Sequence, residues 1–175
     1  MKKNKKKNYI RIGILGGTFD PPHEGHLFIS KIALKKLKLK KIWWIITKKN
    51  PLKNKPYLEL RKRIKLCKKI AKKNKKISIK YFDKKIRSSS TFNLLNYVKN
   101  KTNADLFFLI GADNLKKFHK WKKWKQIPNL AKIVVFPRKD HSYNSVVTKK
   151  LNKKNFMYIN TKKINISSSL IRKFW

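Results

Sequence analysis

Acidic residues are the scarce class in this sequence. Only 7 Asp and Glu stand against 49 Lys and Arg, which leaves a formal net charge of +42 and little from which to build a carboxylate cage for a metal. Cysteine occurs once, as Cys67. That excludes an internal disulfide and points to a reducing compartment, the cytoplasm. Cys67 shares helical spacing with Leu60, Ile64 and Ala71, so it reads as a core thiol and not as a nucleophile. Cys/His clusters at zinc spacing are absent. No apolar run approaches the ~18–20 residues needed to span a bilayer, so no membrane association is expected. Residues Met1–Asn8 lack a following apolar region and are no secretory signal. We expect a frayed basic tail over 1–8 and one domain over 9–175. The first apolar run is not followed by GxGxxG, and no Walker A pattern occurs, so the two commonest phosphate fingerprints fail.

Lysine is what the sequence has in excess. It is spread along the whole length together with abundant isoleucine and asparagine, the mixture that A/T-rich codons produce. The charge therefore reads mostly as a solvated surface, and no specific nucleic acid is expected as partner. Such a surface still attracts polyanions in a salt-dependent way.

At 175 residues the chain suits one well-cored domain. Apolar runs at Ile10–Leu15, Lys41–Thr47, Ile77–Phe82, Leu106–Ile110, Ala131–Phe136 and Phe156–Ile159 read as strands. Between them, helical spacing marks Leu27–Leu37, Leu58–Lys72 and Thr91–Lys101, an aromatic stretch from Leu115 to Ile127 ended by Pro128, and a last helix opening at Ile166–Ser169. Arg138–Leu151 reads as a hydrophilic loop. Near-continuous apolar strands alternating with helices predict an α/β fold, a doubly wound parallel sheet covered on both faces. Ligands of such folds bind beyond the carboxyl ends of the strands. The loops starting at Gly16, Thr47, Asp83, Gly111 and Arg138 should gather there.

These loops carry the unusual residues. Gly16-Gly17-Thr18-Phe19-Asp20-Pro21-Pro22-His23-Glu24-Gly25-His26 joins the first strand to the first helix. Two glycines permit close backbone approach, and His23 and His26 stand three apart where a helix opens, so they can face one side. A helix start offers free N–H groups to phosphate. The pair could instead ligate zinc or cap the turn; phosphate binding is the third reading, with the imidazoles donating to a phosphoryl oxyanion. Ser167-Ser168-Ser169 with Arg172 forms a second candidate. A serine run is by default an N-cap, but an arginine on the same turn can grip phosphate bidentately. Asp113 could bind ribose or cap the helix after it. Trp121 and Trp124, three apart, read as a core stripe from which one ring could stack on a flat ligand.

GGTFDPPHEGH resembles the GGTFDPxHxGH signature of the nucleotidyltransferase superfamily, and ISSSLIRK resembles its second signature, ISSTxIR. TKKNPLK, SSTFNLL, GADNL and the W-x-x-W-x-x-I segment at Trp121 follow in the order of the nicotinate-nucleotide adenylyltransferase family, over nearly all of Ile10–Arg172. The resemblance implies a Rossmann-like sheet of nucleotidylyltransferase type. It also implies transfer of the adenylyl group of ATP to nicotinate mononucleotide, giving deamido-NAD and pyrophosphate, with Mg²⁺ riding on the phosphates and water. By the same resemblance Gly16, Gly17, Thr18, Phe19, His23, His26, Gly111, Asp113, Ser167, Ser168 and Arg172 would hold ATP. His23 and His26 would be catalytic, and Thr47, Asn50, Lys53, Thr91 and Trp121 would hold the mononucleotide. Two positions depart from the pattern: Ser90 stands where the family has tyrosine, and Ser169 where it has threonine. The alternatives are a sister adenylyltransferase acting on nicotinamide mononucleotide or phosphopantetheine, and a basic nucleic-acid-binding protein. The Asn-Pro loop with Thr91 and Trp121 favours a pyridine nucleotide over the first. Tryptophans at core spacing and the lack of a nucleic-acid motif disfavour the second.

Overall fold

In the computed structural model, residues 9–138, 146–162 and 166–174 are described. The expected tail, 1–8, and part of the expected loop, 139–145, lie outside them. In chain order the elements are β1 (Ile10–Gly17), α1 (Glu24–Lys36), β2 (Lys41–Ile46), α2 (Leu60–Ala71), β3 (Ile77–Lys80), α3 (Asp83–Ile86) and α4 (Thr91–Lys101). There follow β4 (Ala104–Gly111), α5 (Ala112–Lys117), α6 (Ile127–Leu130), β5 (Lys132–Phe136), α7 (Val146–Lys150), β6 (Phe156–Tyr158) and α8 (Ser168–Arg172).

The six strands form one sheet in the order β3-β2-β1-β4-β5-β6, and every pairing is parallel. The chain winds outward to β3, returns to the far side of β1, and winds outward again to β6. The order therefore reverses between β1 and β4. A crevice opens at such a reversal, beyond the carboxyl ends of both strands.

Both faces of the sheet are buried, which is why its strands are apolar at successive positions. Along β4, Leu106, Phe108 and Ile110 enter one core and Leu109 the other. Along β5, Ile133 and Val135 alternate with Val134 and Phe136 in the same way. The first core is closed by Leu95 and Val98 of α4, Leu115 of α5 and Ile127 of α6. The second is closed by Ala33 of α1 and by Cys67 and Ala71 of α2. Cys67 is fully buried, and burial pushes its thiol up to about 12, as befits a core residue.

Several local readings need correction. Gly16 and Gly17 end β1 rather than making the turn; the turn falls at Phe19, whose φ is 50°. Helix α1 starts at Glu24, three residues before the first apolar residue of its stripe. Pro128 sits in the first turn of α6, where its missing N–H costs nothing, so it opens a helix instead of closing one. Asp83–Ile86 is a single helical turn within a stretch read as irregular. Val146–Lys150 is helical inside the expected loop, anchored by the fully buried Val147.

Candidate active site

A cleft of about 970 Å³ lies at the reversal of strand order. It is lined by residues from all five loops singled out in the sequence: Gly16, Thr47, Asp83, Gly111 and Arg138. The fold thus brings stretches from Leu15 to Lys173 to one cleft.

The first wall is the end of β1 and the start of α1. His23 is the N-cap of α1 and His26 its third residue. The main-chain N–H of His23 donates to Nδ1 of His26 at 3.1 Å. With Nδ1 accepting, the neutral His26 ring carries its proton on Nε2. The two rings lie 3.9 Å apart between centroids, tilted by 40°. Burial, then the Arg138 guanidinium, pulls His23 down to about 4. Burial, then the neighbouring His23, holds His26 well below its usual value. Both imidazoles are therefore neutral near pH 7 and act as hydrogen-bonding groups, not as cations. The cap and phosphate readings of the sequence are compatible: His26 caps the helix with one nitrogen and keeps a donor on the other.

Gly25 explains how the rings fit so closely. A Cβ there would come within 2.8 Å of His23 Nδ1 and 2.9 Å of Ile166 Cγ2. Only hydrogen lets helix α1, His23 and the segment before α8 meet. Behind the rings, Phe19 packs on His26 and Trp44 with centroids at 4.7 and 5.3 Å. The Trp44 indole N–H donates to Ser30 Oγ at 2.8 Å, and that hydroxyl donates to the carbonyl of His26 at 2.7 Å. This buried chain ties the first turn of α1 to β2.

The opposite wall is the loop between β2 and α2. Thr47 donates through Oγ1 to Asp83 Oδ2 at 2.8 Å, and the Lys48 N–H joins the same oxygen at 2.8 Å. Asn50 Oδ1 accepts from the Leu52 N–H at 2.9 Å, so this side chain shapes the loop that carries Lys53. Thr91 opens α4, which Ser90 caps by accepting from the Asn93 N–H at 3.2 Å. Trp121 lines the cleft beside Phe118 and Phe108, with centroids at 4.9 and 6.0 Å. Both tryptophans pack against the first core, and Trp124 is not on the cleft lining.

The third side is built from β4, β5 and α8. Asp113 lies 3.8 Å from Arg138 Nε. A Cβ at Gly111 would run into Asp113 Oδ1, so this glycine makes room for the carboxylate where it stands. Ser167 caps α8 by accepting from the Leu170 N–H at 3.0 Å. Ser168 donates to the Pro21 carbonyl at 2.8 Å, which fastens α8 to the loop before α1.

Gly16, Gly17, Thr18, Phe19, His23, His26, Thr47, Asn50, Lys53, Thr91, Gly111, Asp113, Trp121, Ser167 and Ser168 all line this cleft. Arg172 is the one expected site residue not on its lining. Its guanidinium is turned onto Asp20, bonding the Asp20 carbonyl and lying 3.7 Å from the carboxylate, with the Tyr57 ring 5.1 Å away.

Sequence reasoning passed over four residues here. Arg138 and Lys173 line the cleft as cations. Asp20, 4% exposed, accepts from the N–H groups of Tyr57 and Leu58 at 2.8 and 2.9 Å. Asp83 holds the base of the loop after β2. Arg138, Asp83 and Asp20 each stand in a stretch beyond a strand's carboxyl end, which was the available signal.

The sequence pattern of the cytidylyltransferase-like family matches residues 14–174. A probable nicotinate-nucleotide adenylyltransferase of Pelagibacter ubique is 49% identical over 173 residues, covering 97% of this chain and 95% of its own. One of Agrobacterium fabrum is 40% identical over 129 residues, covering 73% of this chain and 68% of its own. Among solved structures, the nicotinic acid mononucleotide adenylyltransferase of Plasmodium falciparum complexed with NaAD superposes with a TM-score of 0.77 at 24% identity. It covers 94% of this chain and 83% of its own, and at that identity the likeness concerns the fold.

Proposed function

This chain belongs to the cytidylyltransferase-like family, and on that premise we propose that it transfers the adenylyl group of ATP to nicotinate mononucleotide, a step of NAD biosynthesis. The observation that carries the reading is a near-full-length likeness to a probable nicotinate-nucleotide adenylyltransferase, in a chain whose glycine-histidine and serine-rich motifs converge on one cleft.

The 5′-phosphate of the mononucleotide attacks the α-phosphorus of ATP in line. A new P–O bond forms, the bond from the α-phosphorus to the bridging oxygen breaks, and pyrophosphate leaves with that electron pair. A phosphate needs no base to be nucleophilic, so the protein's work is positioning and charge stabilisation. His23 and His26 are assigned to the phosphates at the α1 N-terminus, where the Nε2–H of His26 donates to oxygen that gains charge. Gly16–Phe19, Gly111 and Asp113 are assigned to the rest of ATP, with Ser167 and Ser168 at the triphosphate. Arg172 would join them by exchanging Asp20 for phosphate oxygens. Thr47, Asn50, Lys53, Thr91 and Trp121 are assigned to the mononucleotide.

ATP enters as its Mg²⁺ complex. The ion is assigned to the phosphates and water; among the described residues no group of three His, Cys, Asp or Glu side chains is found that could hold a metal ion. No helix among the described residues is long and apolar enough to cross a membrane. The buried free thiol of Cys67 suits the cytoplasm.

Pyrophosphate release with Mg²⁺-ATP tests the reading, with nicotinate mononucleotide, nicotinamide mononucleotide and phosphopantetheine supplied in parallel. Turnover highest with nicotinate mononucleotide is expected. Absence of turnover with all three overturns the enzyme reading, and preference for phosphopantetheine overturns the choice of acceptor.

A further inference from the structure

Arg63 projects from α2 into the protein and is 2% exposed. Its neighbours along the same face, Cys67 and Ala71, are small apolar core residues. A guanidinium in such a place gives up hydration that only well-placed acceptors can replace. Here the acceptors are main-chain carbonyls. Nε donates to Leu58 at 2.9 Å, Nη1 to Thr18 at 2.6 Å and to Thr47 at 2.8 Å, and Nη2 to Lys48 at 3.0 Å.

These four carbonyls belong to two separate walls of the cleft. Thr18 lies in the turn after β1, assigned to ATP. Thr47, Lys48 and Leu58 are the two ends of the loop after β2, assigned to the mononucleotide. One planar, rigid group therefore spans both substrate-bearing segments from beneath. Two carboxylates fasten the same pieces from the other direction. Asp83 takes the Thr47 hydroxyl and the Lys48 N–H, and Asp20 takes the N–H groups of Tyr57 and Leu58. An apolar side chain would fill this volume but lose all four carbonyl bonds, leaving Asp20 and the Thr47–Gly17 main-chain bond as ties between the two walls. Lysine, with donors on a single nitrogen, cannot reach carbonyls spread around a fork.

We propose that Arg63 is a positioning residue for adenylyl transfer, fixing the separation between the ATP turn and the acceptor loop and hence the approach of the attacking phosphate to the α-phosphorus. The inference rests on the two-nucleotide reading of the cleft. Arg63 is buried and off the cleft lining, and its effect is exerted through Thr18, Thr47 and Lys48. Small displacements of bound reactants from the in-line geometry lower the rate far more than they lower binding.

The test compares wild type, Arg63→Lys and Arg63→Ala at a temperature where circular dichroism shows each protein folded. Steady-state kinetics are measured with Mg²⁺-ATP and nicotinate mononucleotide, and each substrate's Kd is measured by calorimetry. For Arg63→Lys, kcat is expected to fall about 10²-fold while each Kd changes only a few-fold. In Arg63→Ala, millimolar guanidinium is expected to restore part of kcat by entering the vacated volume; lack of rescue there counts against the proposal. A folded Arg63→Lys protein with wild-type kcat overturns it, as does failure of both variants to fold, which would make Arg63 a folding determinant. Wild-type protein without turnover removes the two-nucleotide reading itself, and so is distinguishable from failure of the positioning role.

Discussion

His23 and His26 hold one another through the backbone: the His23 N–H donates to His26 Nδ1 at 3.1 Å. The bond fixes the His26 tautomer and satisfies an N–H at the helix start, so the residue proposed to donate to the phosphates also has a structural duty. The duties are separable by substitution. In His26→Asn the amide oxygen can replace Nδ1 as acceptor, but no donor remains at the reach of Nε2. We expect His26→Asn to keep near-wild-type stability and to lose turnover by orders of magnitude. His26→Ala should lose the same turnover and also about 1 kcal/mol of stability. Denaturant titrations and pyrophosphate release check the pair. A folded, fully active His26→Asn protein would refute the donor role.

The neutral state of the rings has its own signature in pH. His23 is lowered to about 4 from an ordinary 6.5, first by burial and second by Arg138. Between those two values the unfolded chain binds the proton and the folded chain does not. The stability this group contributes is therefore complete above pH 6.5 and is lost as pH falls towards 4. The acid limb of kcat/KM, which reports the free enzyme, should show no step at 6.5 from these histidines. Replacing Arg138 with Gln removes one of the two causes, so His23 should titrate at higher pH in Arg138→Gln. Histidine ring signals followed by NMR against pH decide this. A midpoint near 6.5 in the wild type contradicts the buried, neutral pair.

The fold was legible because its signals are local and strong. Strands buried on both faces must be apolar at consecutive positions, and β4 and β5 are. The gathering of Gly16, Thr47, Asp83, Gly111 and Arg138 followed from topology alone. What escaped were groups whose role depends on pairing across long sequence gaps. Arg63 sits in an amphipathic helix crowded with lysine, so nothing local separates it from solvated cations, yet it is buried on carbonyls 5 to 45 residues away. Arg172 stands in a phosphate-like pattern, but its contact with Asp20 spans 152 positions. Pro128 was misjudged because proline both ends and begins helices, and only the backbone that follows tells which.

Gly25 offers a test of how tightly the site is assembled. In Gly25→Ala the added methyl would meet His23 Nδ1 at 2.8 Å and Ile166 Cγ2 at 2.9 Å. Both are closer than carbon contacts allow, so the His23 ring and the start of α8 must move. Overpacking of this kind costs about 1–3 kcal/mol. Turnover should fall further than stability, because the displaced groups are the His23 ring and the serine-bearing helix, both proposed to act on the phosphates. Thermal melts and kcat measured together check it. Wild-type kcat in Gly25→Ala would show that the close approach is not needed for the chemistry.

Trp121 is placed to separate stacking from packing. Its ring contacts Phe118 and Phe108 on one side and faces the cleft on another. Removing it therefore disturbs the aromatic cluster as well as any ring stacked upon it. Trp121→Phe keeps an aromatic face and much of the cluster, whereas Trp121→Ala keeps neither. Stacking of a base on an aromatic side chain is worth about 1–3 kcal/mol by alanine substitution, which corresponds to about 5–150-fold in affinity. We expect Trp121→Ala to raise KM for nicotinate mononucleotide within that range and to leave KM for ATP nearly unchanged. Trp121→Phe should recover most of the loss. Equal rises in both constants would mean that Trp121 supports the cleft as a whole. An unchanged mononucleotide KM in Trp121→Ala would remove the stacking role and leave the ring as part of the core.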